Sequence, residues 1–272
     1  MTSSPLTEIA WAKINLALHI RRRREDGFHL LETLFAFVDG GDVLTGSRAR
    51  EDSLTIEGEF GAALAGSSNI LLDALGPLAR GRRWRLHLDK RLPVAAGLGG
   101  GSADAGALFR LVERAQGLPE GWEAIAARLG ADVPACIASR SIFGRGTGTE
   151  LAPGPEDLAG CPVLLVNPRL PVATGPVFRG WDGVDRGPMP EGSARAIALH
   201  GRNDLETPAI ALCPEIAAVL AALGTHAPWL ARMSGSGATC FALFDDVTRR
   251  DEAAATIVAR HPAWWQMTGA LR

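Results

Sequence analysis

Residues 93–105 read ProValAlaAlaGlyLeuGlyGlyGlySerAlaAspAla, and four of the five positions from 97 to 101 are glycine. The stretch lies between two patterned segments. Before it, Trp84, Leu86 and Leu88 alternate with Arg85, His87 and Asp89, the period of a strand. After it, Leu108, Leu111, Val112 and Ala115 share one helical face, with Ser102 expected as N-cap and Asp104 in the first turn. A turn stripped of side chains lets backbone amides approach an anion, and a helix start adds about half a positive charge. Polyphosphate is the natural guest. The competing reading is a plain connector, but clustered glycines cost backbone entropy that a connector need not incur. Two familiar phosphate motifs are excluded. No lysine lies between Gly97 and Asp104 to complete GxxxxGK[ST], and no suitably placed acidic residue completes a dinucleotide fingerprint.

Upstream, Ile14, Leu16, Leu18 and Ile20 alternate with Lys13, Asn15, Ala17 and His19, which predicts a strand over 9–20. Lys13 and Asn15 then project from the same face. A charged turn at 21–27 precedes an apolar run from Phe28 to Val38, read as a strand buried on both faces. Residues 42–58 read as two more short strands, and Ser68 and Asn69 open a helix carrying Leu71, Ala74, Leu75 and Leu78. Downstream, Trp122, Ile125, Ala126 and Leu129 mark a helix ended by Gly130, and Asp132 and Pro134 start a further short one. Residues 150–162 are turn-rich and read as a domain connection. Then follow a strand at 163–166, an exposed loop over 180–195 and a helical stripe of Ile216, Val219, Leu220 and Leu223. MetSerGlySerGlyAlaThr at 233–239 is a second glycine turn, feeding the strand CysPheAlaLeuPhe. A helix near 252–260 and a strand near 264–268 close the chain. Strands and helices mix without regular βα alternation, so the expected class is α+β, with domains over 1–155 and 156–272.

Composition bounds the function. At 272 residues the chain holds about two domains. Its 47% hydrophobic and 21% charged residues exclude a disordered or collagenous chain. A net charge of −2 leaves no global field for nucleic acid or an anionic membrane. The longest apolar stretches fall far short of the ~20 residues that span a bilayer. The N-terminus lacks a basic segment followed by a long apolar run, so no signal peptide is expected. Cys136, Cys161, Cys213 and Cys240 form no CxxC pair and read as buried free thiols of a cytoplasmic protein. The histidines show no metal-ligand spacing, no metal site is expected from side chains, and no GxSxG elbow is present. Among 28 basic residues only Lys13 and Lys90 are lysine. Codon bias explains that scarcity, yet a surviving lysine can mark a site that needs a compact ammonium. Lys13 is either a solvated strand residue or a stabiliser of a phosphate or alkoxide. Asp132 is either a general base or a helix cap.

The combination is more specific than any part. AlaLysIleAsnLeuAlaLeuHisIle at 12–20, AspGlyPheHis at 26–29, the glycine loop, GlyAlaAspValPro at 130–134 and MetSerGlySerGlyAla at 233–238 occur in this order. Together they resemble the GHMP kinase superfamily, and within it the 4-diphosphocytidyl-2-C-methyl-D-erythritol kinases of non-mevalonate isoprenoid biosynthesis. That resemblance, running from about residue 9 to the C-terminus, implies a two-domain α+β fold. It implies ATP as co-substrate, Mg²⁺ with it, and a small-molecule acceptor phosphorylated on its 2-hydroxyl. By resemblance, Pro93, Val94, Ala95, Ala96, Gly97, Leu98, Gly99, Gly100, Gly101, Ser102 and Ala103 hold ATP, and Lys13 and Asp132 are the catalytic pair. Asn15 and Thr174 approach the acceptor, and Phe28, His29 and Phe178 hold the cytosine. The family commonly has tyrosine where Phe28 stands, so ring stacking survives and a hydroxyl hydrogen bond does not. A monomer or weak homodimer without nucleic-acid or membrane partners is expected. Two rivals remain: a GHMP kinase for another alcohol, and a nucleotide-binding regulator without turnover.

Overall fold

A computed structural model describes residues 4–65 and 69–272; Ser68, expected to open a helix, lies outside the described residues. The chain divides into two compact units, neither of them a contiguous stretch. The first unit takes the chain up to Ala12, Gly40–Val94 and Gly99–Ser139; the second takes Lys13–Asp39, Ala95–Leu98 and Arg140–Arg272. The interleaving arises because two long strands, β1 (Leu6–Arg23) and β2 (His29–Arg48), each contribute to both units.

In the first unit β3 (Ser53–Glu57) is followed by α1 (Ile70–Ala79) and β4 (Trp84–Asp89), a βαβ arrangement with β3 parallel to β4. The end of β2 pairs antiparallel with β4, from Val43 opposite Asp89 to Arg48 opposite Trp84. Trp84, Leu86 and Leu88 are buried, as their alternation requires. The Asn69 side chain caps α1 by accepting from the Leu71 amide at 2.9 Å, and Leu71, Ala74, Leu75 and Leu78 form its buried stripe. The helices α2 (Gly100–Gln116), α3 (Trp122–Leu129) and α4 (Val133–Ala138) complete the unit, with α1 and α4 packed on α2. Leu108, Phe109, Leu111 and Val112 of α2 are buried there, each worth about 1.5–3 kcal/mol of hydrophobic stabilisation.

Two details differ from the sequence reading. Residues 42–48 continue β2 instead of forming a separate strand. A Cβ on Gly41 would sit 1.9 Å from the Ala10 carbonyl oxygen, so this glycine serves close passage of β2 beside β1, not a turn. The cap of α2 is Gly99, in the left-handed region at φ +63°, and Ser102 already lies inside the first turn. Glycine's freedom at Gly99 lets the helix start earlier than a serine cap would place it.

In the second unit the start of β2 pairs with β5 (Ile142–Arg145), Thr33 opposite Gly144, and β5 pairs with β6 (Glu150–Pro153). Further along come β7 (Pro162–Asn167), α5 (Thr174–Arg179), α6 (Ala194–His200), α7 (Glu206–Leu212) and α8 (Glu215–Gly224). Last are β8 (Leu230–Met233), β9 (Cys240–Leu243), α9 (Val247–Arg260) and β10 (Trp265–Ala270). An antiparallel sheet in the order β10-β7-β9-β8 packs Leu164, Val166, Cys240 and Ala242 against Ile216, Val219, Leu223 and Ile257. Phe28 falls outside β2 and is 64% exposed. The Asp26 carboxylate accepts from the Phe28 amide and the Arg24 amide donates to the Phe28 carbonyl, closing a turn that ends where β2 begins. The mixture of helices and largely antiparallel strands is the expected α+β class. Cys136, Cys213 and Cys240 are buried and Cys161 is half-buried, all as free thiols. Among the described residues no helix is long and apolar enough to cross a membrane.

Candidate active site

The second unit gathers Lys13, Asn15, part of the first glycine turn and all of the second. Both faces of β1 are buried from Ala12 to Ile20, so Lys13 (4% exposed) and Asn15 are enclosed opposite their apolar neighbours. The Lys13 ammonium donates to Asn15 Oδ1 at 3.0 Å and lies 5.0 Å above the Phe35 ring. Asn15 Nδ2 donates to Thr33 Oγ1 at 2.8 Å, and that hydroxyl donates to the Ala17 carbonyl at 2.7 Å. The amide of Asn15 donates to Ser234 Oγ at 3.2 Å, whose hydroxyl donates to the Gly97 carbonyl at 2.8 Å. A continuous hydrogen-bonded run therefore links Lys13 and Asn15 to the first glycine loop through the second. Backbone bonds reinforce it: the Lys13 amide donates to the Leu98 carbonyl at 3.0 Å and the Thr239 amide to the Ala96 carbonyl at 3.1 Å. A Cβ on Gly97 would meet the Ser234 carbonyl oxygen at 2.2 Å, and its φ is +75°. Only glycine fits there. Asn203, from the segment before α7, holds the second turn by donating to the Met233 and Gly235 carbonyls, both at 2.8 Å.

Along the first loop Ala95, Gly97 and Gly99 have positive φ, alternating with ordinary residues. Such alternation turns successive amides toward one side and makes an anion-binding concavity. Pro93, Ala96 and Leu98 are buried and pin the loop, while Val94, Ala95 and Gly101 are exposed. In the first unit Gly100 and Gly101 open α2, whose first amides have no partner within the helix. Beside them is a buried ionic cluster that the motif reading does not contain. Lys90 Nζ lies 2.6 Å from Asp42 Oδ2 and 2.6 Å from Asp104 Oδ2, and a Cβ on Gly100 would sit 3.1 Å from that ammonium. Asp42 Oδ1 accepts from the Arg91 and Leu92 amides, tying the loop's approach to the same cluster. Burial pushes the Asp104 carboxyl up to about 8; the Lys90 ammonium opposes that rise and the Asp42 carboxylate adds to it. Both lysines of this arginine-rich chain are thus enclosed among polar groups flanking the glycine loops.

Asp132, also in the first unit, is the residue before α4, half-buried at φ −84° and ψ −14°. Its side chain makes no capping hydrogen bond, although its carbonyl accepts from the Cys136 amide at 2.9 Å. The cap role is absent. In the second unit, the His29 ring lies 5.2 Å from Phe178 and 5.7 Å from Trp181, edge-on to the latter. Burial pulls the His29 pKa down, with help from Arg23, so the imidazole is neutral near pH 7. Thr174 begins α5 and shares a 3.1 Å hydrogen bond with Ser236 of the second glycine turn. Trp181, invisible to motif reading, completes an aromatic wall with Phe178.

Comparisons with known proteins identify the family. Residues 62–140 match the GHMP kinases N-terminal domain and residues 190–263 the GHMP kinases C-terminal model. A 4-diphosphocytidyl-2-C-methyl-D-erythritol kinase of Novosphingobium aromaticivorans is 64% identical over 268 residues, covering 98% of this chain and 93% of that protein. This chain belongs to that kinase family. A second family member, from Erythrobacter litoralis, is 57% identical and is covered over its full length. A crystal structure of a 4-(cytidine 5′-diphospho)-2C-methyl-D-erythritol kinase superposes with a TM-score of 0.83 at 33% identity, covering 98% of this chain and 99% of that one. A mevalonate kinase from L. major, 13% identical with a TM-score of 0.67, shares the fold. Within the diphosphocytidyl-methylerythritol kinase family the chain is an alcohol kinase of the GHMP type.

Proposed function

We propose that this chain transfers the γ-phosphoryl group of ATP to the 2-hydroxyl of 4-diphosphocytidyl-2-C-methyl-D-erythritol, giving the 2-phosphate and ADP in non-mevalonate isoprenoid biosynthesis. The observation that carries the reading is the hydrogen-bonded run from Lys13 and Asn15 through Ser234 to Gly97. It couples polar groups suited to an alcohol with a loop suited to phosphate. Residues Pro93–Ala103 cradle the ATP phosphates with backbone amides. Asp132 takes or orients the proton of the 2-hydroxyl, the oxygen bonds to the γ-phosphorus, and the bond to the β-phosphate oxygen breaks as ADP leaves. Lys13 stabilises charge on the attacking oxygen. Such catalysis is mostly positioning and electrostatics.

Asn15 and Thr174 orient the methylerythritol, while Phe28, His29 and Phe178 hold the cytosine. The neutral His29 imidazole offers the base a hydrogen bond without a charge. Magnesium would enter with ATP and neutralise phosphate charge. Among the described residues no three His, Cys, Asp or Glu side chains gather as a ligand cage. Residues 1–155 and 156–272 serve as the family's N- and C-terminal domains, working in the cytoplasm as a monomer or weak homodimer. Product mapping by phosphorus NMR tests the reading. A new phosphomonoester on the 2-oxygen with the cytidyl diphosphate intact is expected; a phosphate on another hydroxyl would reject it.

A further inference from the structure

The helix that follows Asp132 is too short to fix itself. Helix α4 spans only Val133–Ala138, and its first internal bond runs from the Cys136 amide to the Asp132 carbonyl at 2.9 Å. Its other end is held from outside. Arg110, near the middle of α2, donates from Nη1 to the Cys136 carbonyl at 2.7 Å, to the Ile137 carbonyl at 3.3 Å and to Ser139 Oγ at 3.0 Å. Its Nη2 donates to the Ile9 carbonyl of β1 at 2.7 Å, and its Nε pairs with Glu8 at 3.2 Å. The guanidinium thus occupies the end of α4 where carbonyls lack partners and a cation is favoured. The two helices also meet without a spacer: a Cβ on Gly106 would lie 2.6 Å from the Cys136 carbonyl oxygen.

We infer that Arg110, seated over Gly106, is a positioning residue for the phosphoryl transfer. It clamps α4 to α2 and so fixes the Asp132 carboxylate relative to the helix that opens at the phosphate loop. The path is short. Arg110 holds the Cys136 carbonyl, the same residue's amide holds the Asp132 carbonyl, and α2 carries Arg110 ten residues beyond Gly100. A lysine cannot replace it, because one ammonium lacks the planar fork that reaches α4 and β1 together. The inference rests on the assignment of Asp132 as the group that handles the hydroxyl proton.

The test is steady-state ADP release by Arg110→Met, Arg110→Lys and Gly106→Ala, each alone and combined with Asp132→Asn, with melting curves. Misplacement of a reacting group by about 1 Å costs on the order of 10²-fold. Arg110→Met and Gly106→Ala are therefore expected to lower kcat by about 10- to 100-fold, with KM for ATP and for the cytidyl substrate within about threefold of wild type. In the Asp132→Asn background neither should lower kcat by more than about twofold, since the group they position is gone. Gly106→Ala is the independent arm, because alanine favours helix and removes no hydrogen bond while forcing the helices apart. Should Arg110→Met fail to fold, Gly106→Ala and Arg110→Lys decide alone. Normal kcat in folded Gly106→Ala, or equal losses in both backgrounds, would overturn the inference. Near-normal kcat in Asp132→Asn by itself would instead reject the assignment of Asp132.

Discussion

Replacing Lys90 with methionine keeps most of the stem and removes a charge that two buried carboxylates share. The ammonium is 2.6 Å from Asp42 Oδ2 and from Asp104 Oδ2, and the three side chains are 2%, 0% and 4% exposed. Asp42 retains the Arg91 and Leu92 amides on its other oxygen, whereas Asp104 Oδ1 has no partner. Stranding one member of a buried pair typically costs about 3–5 kcal/mol. At about 2–4 °C per kcal/mol for a chain near this size, the melting midpoint should fall by roughly 6–20 °C. Asp104→Asn should be far milder, because burial already holds that carboxyl at about 8, mostly protonated near neutrality. Added to Lys90→Met, Asp104→Asn should recover little, because without the ammonium that carboxyl rises further and is already neutral.

The pH dependence gives a second signature. The folded pKa of Asp104 lies above its ordinary 3.8, so the folded state keeps a proton that the unfolded chain releases. Its contribution to stability therefore declines as pH rises from about 4 to about 8 and then levels off. The side-chain amide introduced by Asp104→Asn has no such proton to lose, so the stability of that variant relative to wild type should rise across the window. Denaturant melts near pH 5, 7 and 9 measure it. A folded Lys90→Met within about 2 °C of wild type, or a flat difference between Asp104→Asn and wild type, would show that the buried cluster does not hold this end of the loop together.

Gly97→Ala should cost about 2–4 kcal/mol in a denaturant melt and raise the KM for ATP, since the new methyl meets the Ser234 carbonyl at 2.2 Å in a left-handed backbone. Phe28→Leu should raise the KM for the cytidyl substrate about five- to 150-fold, the value of one base–aromatic stack, with kcat nearly unchanged and stability intact. An unchanged KM there would remove the ring from the site. The same KM should rise as pH falls below the ordinary histidine value of 6.5, because burial holds the His29 pKa down and a charged imidazole there disrupts its contacts with the Phe178 and Trp181 rings. His29 favours the folded state above its unfolded pKa of 6.5 and that support is lost as pH falls; His29→Gln should flatten both trends. Asp132→Asn and Lys13→Met should each cut kcat steeply, and the double variant far less than their product, since groups acting as a unit are non-additive. Multiplicative losses would show independent roles.

What was legible in the sequence is what local chemistry dictates. Gly97 and Gly99 announce close approach and positive φ, and the alternation through Lys13 and Asn15 announces a strand with a polar pair. The pairing of distant segments left weaker traces. LysArg at 90–91 reads like an ordinary solvated strand end, and the partners of Lys90 lie 48 and 14 residues away. The scarcity of lysine was the only local sign. GlyGly at 40–41 resembles a turn, yet Gly41 serves close strand passage, so β2 came out longer than expected. Phe28 read as strand because it leads an apolar run, while the Asp26–Phe28 hydrogen bond ends the turn one residue later. Asn203, Trp181 and Arg110 carry no motif at all; their roles come from tertiary contacts to carbonyls and rings that no spacing encodes.

The most direct measurement compares ADP release by the wild-type enzyme on 4-diphosphocytidyl-2-C-methyl-D-erythritol with release on methylerythritol phosphate, which lacks the cytidyl group. Both are measured against homoserine and mevalonate as alternative alcohols. Efficient turnover of the cytidyl compound alone is expected, with kcat/KM at least about 10³-fold above each of the others, as binding of the base and site geometry combine. Comparable rates on methylerythritol phosphate, or turnover of another alcohol in preference, would contradict it.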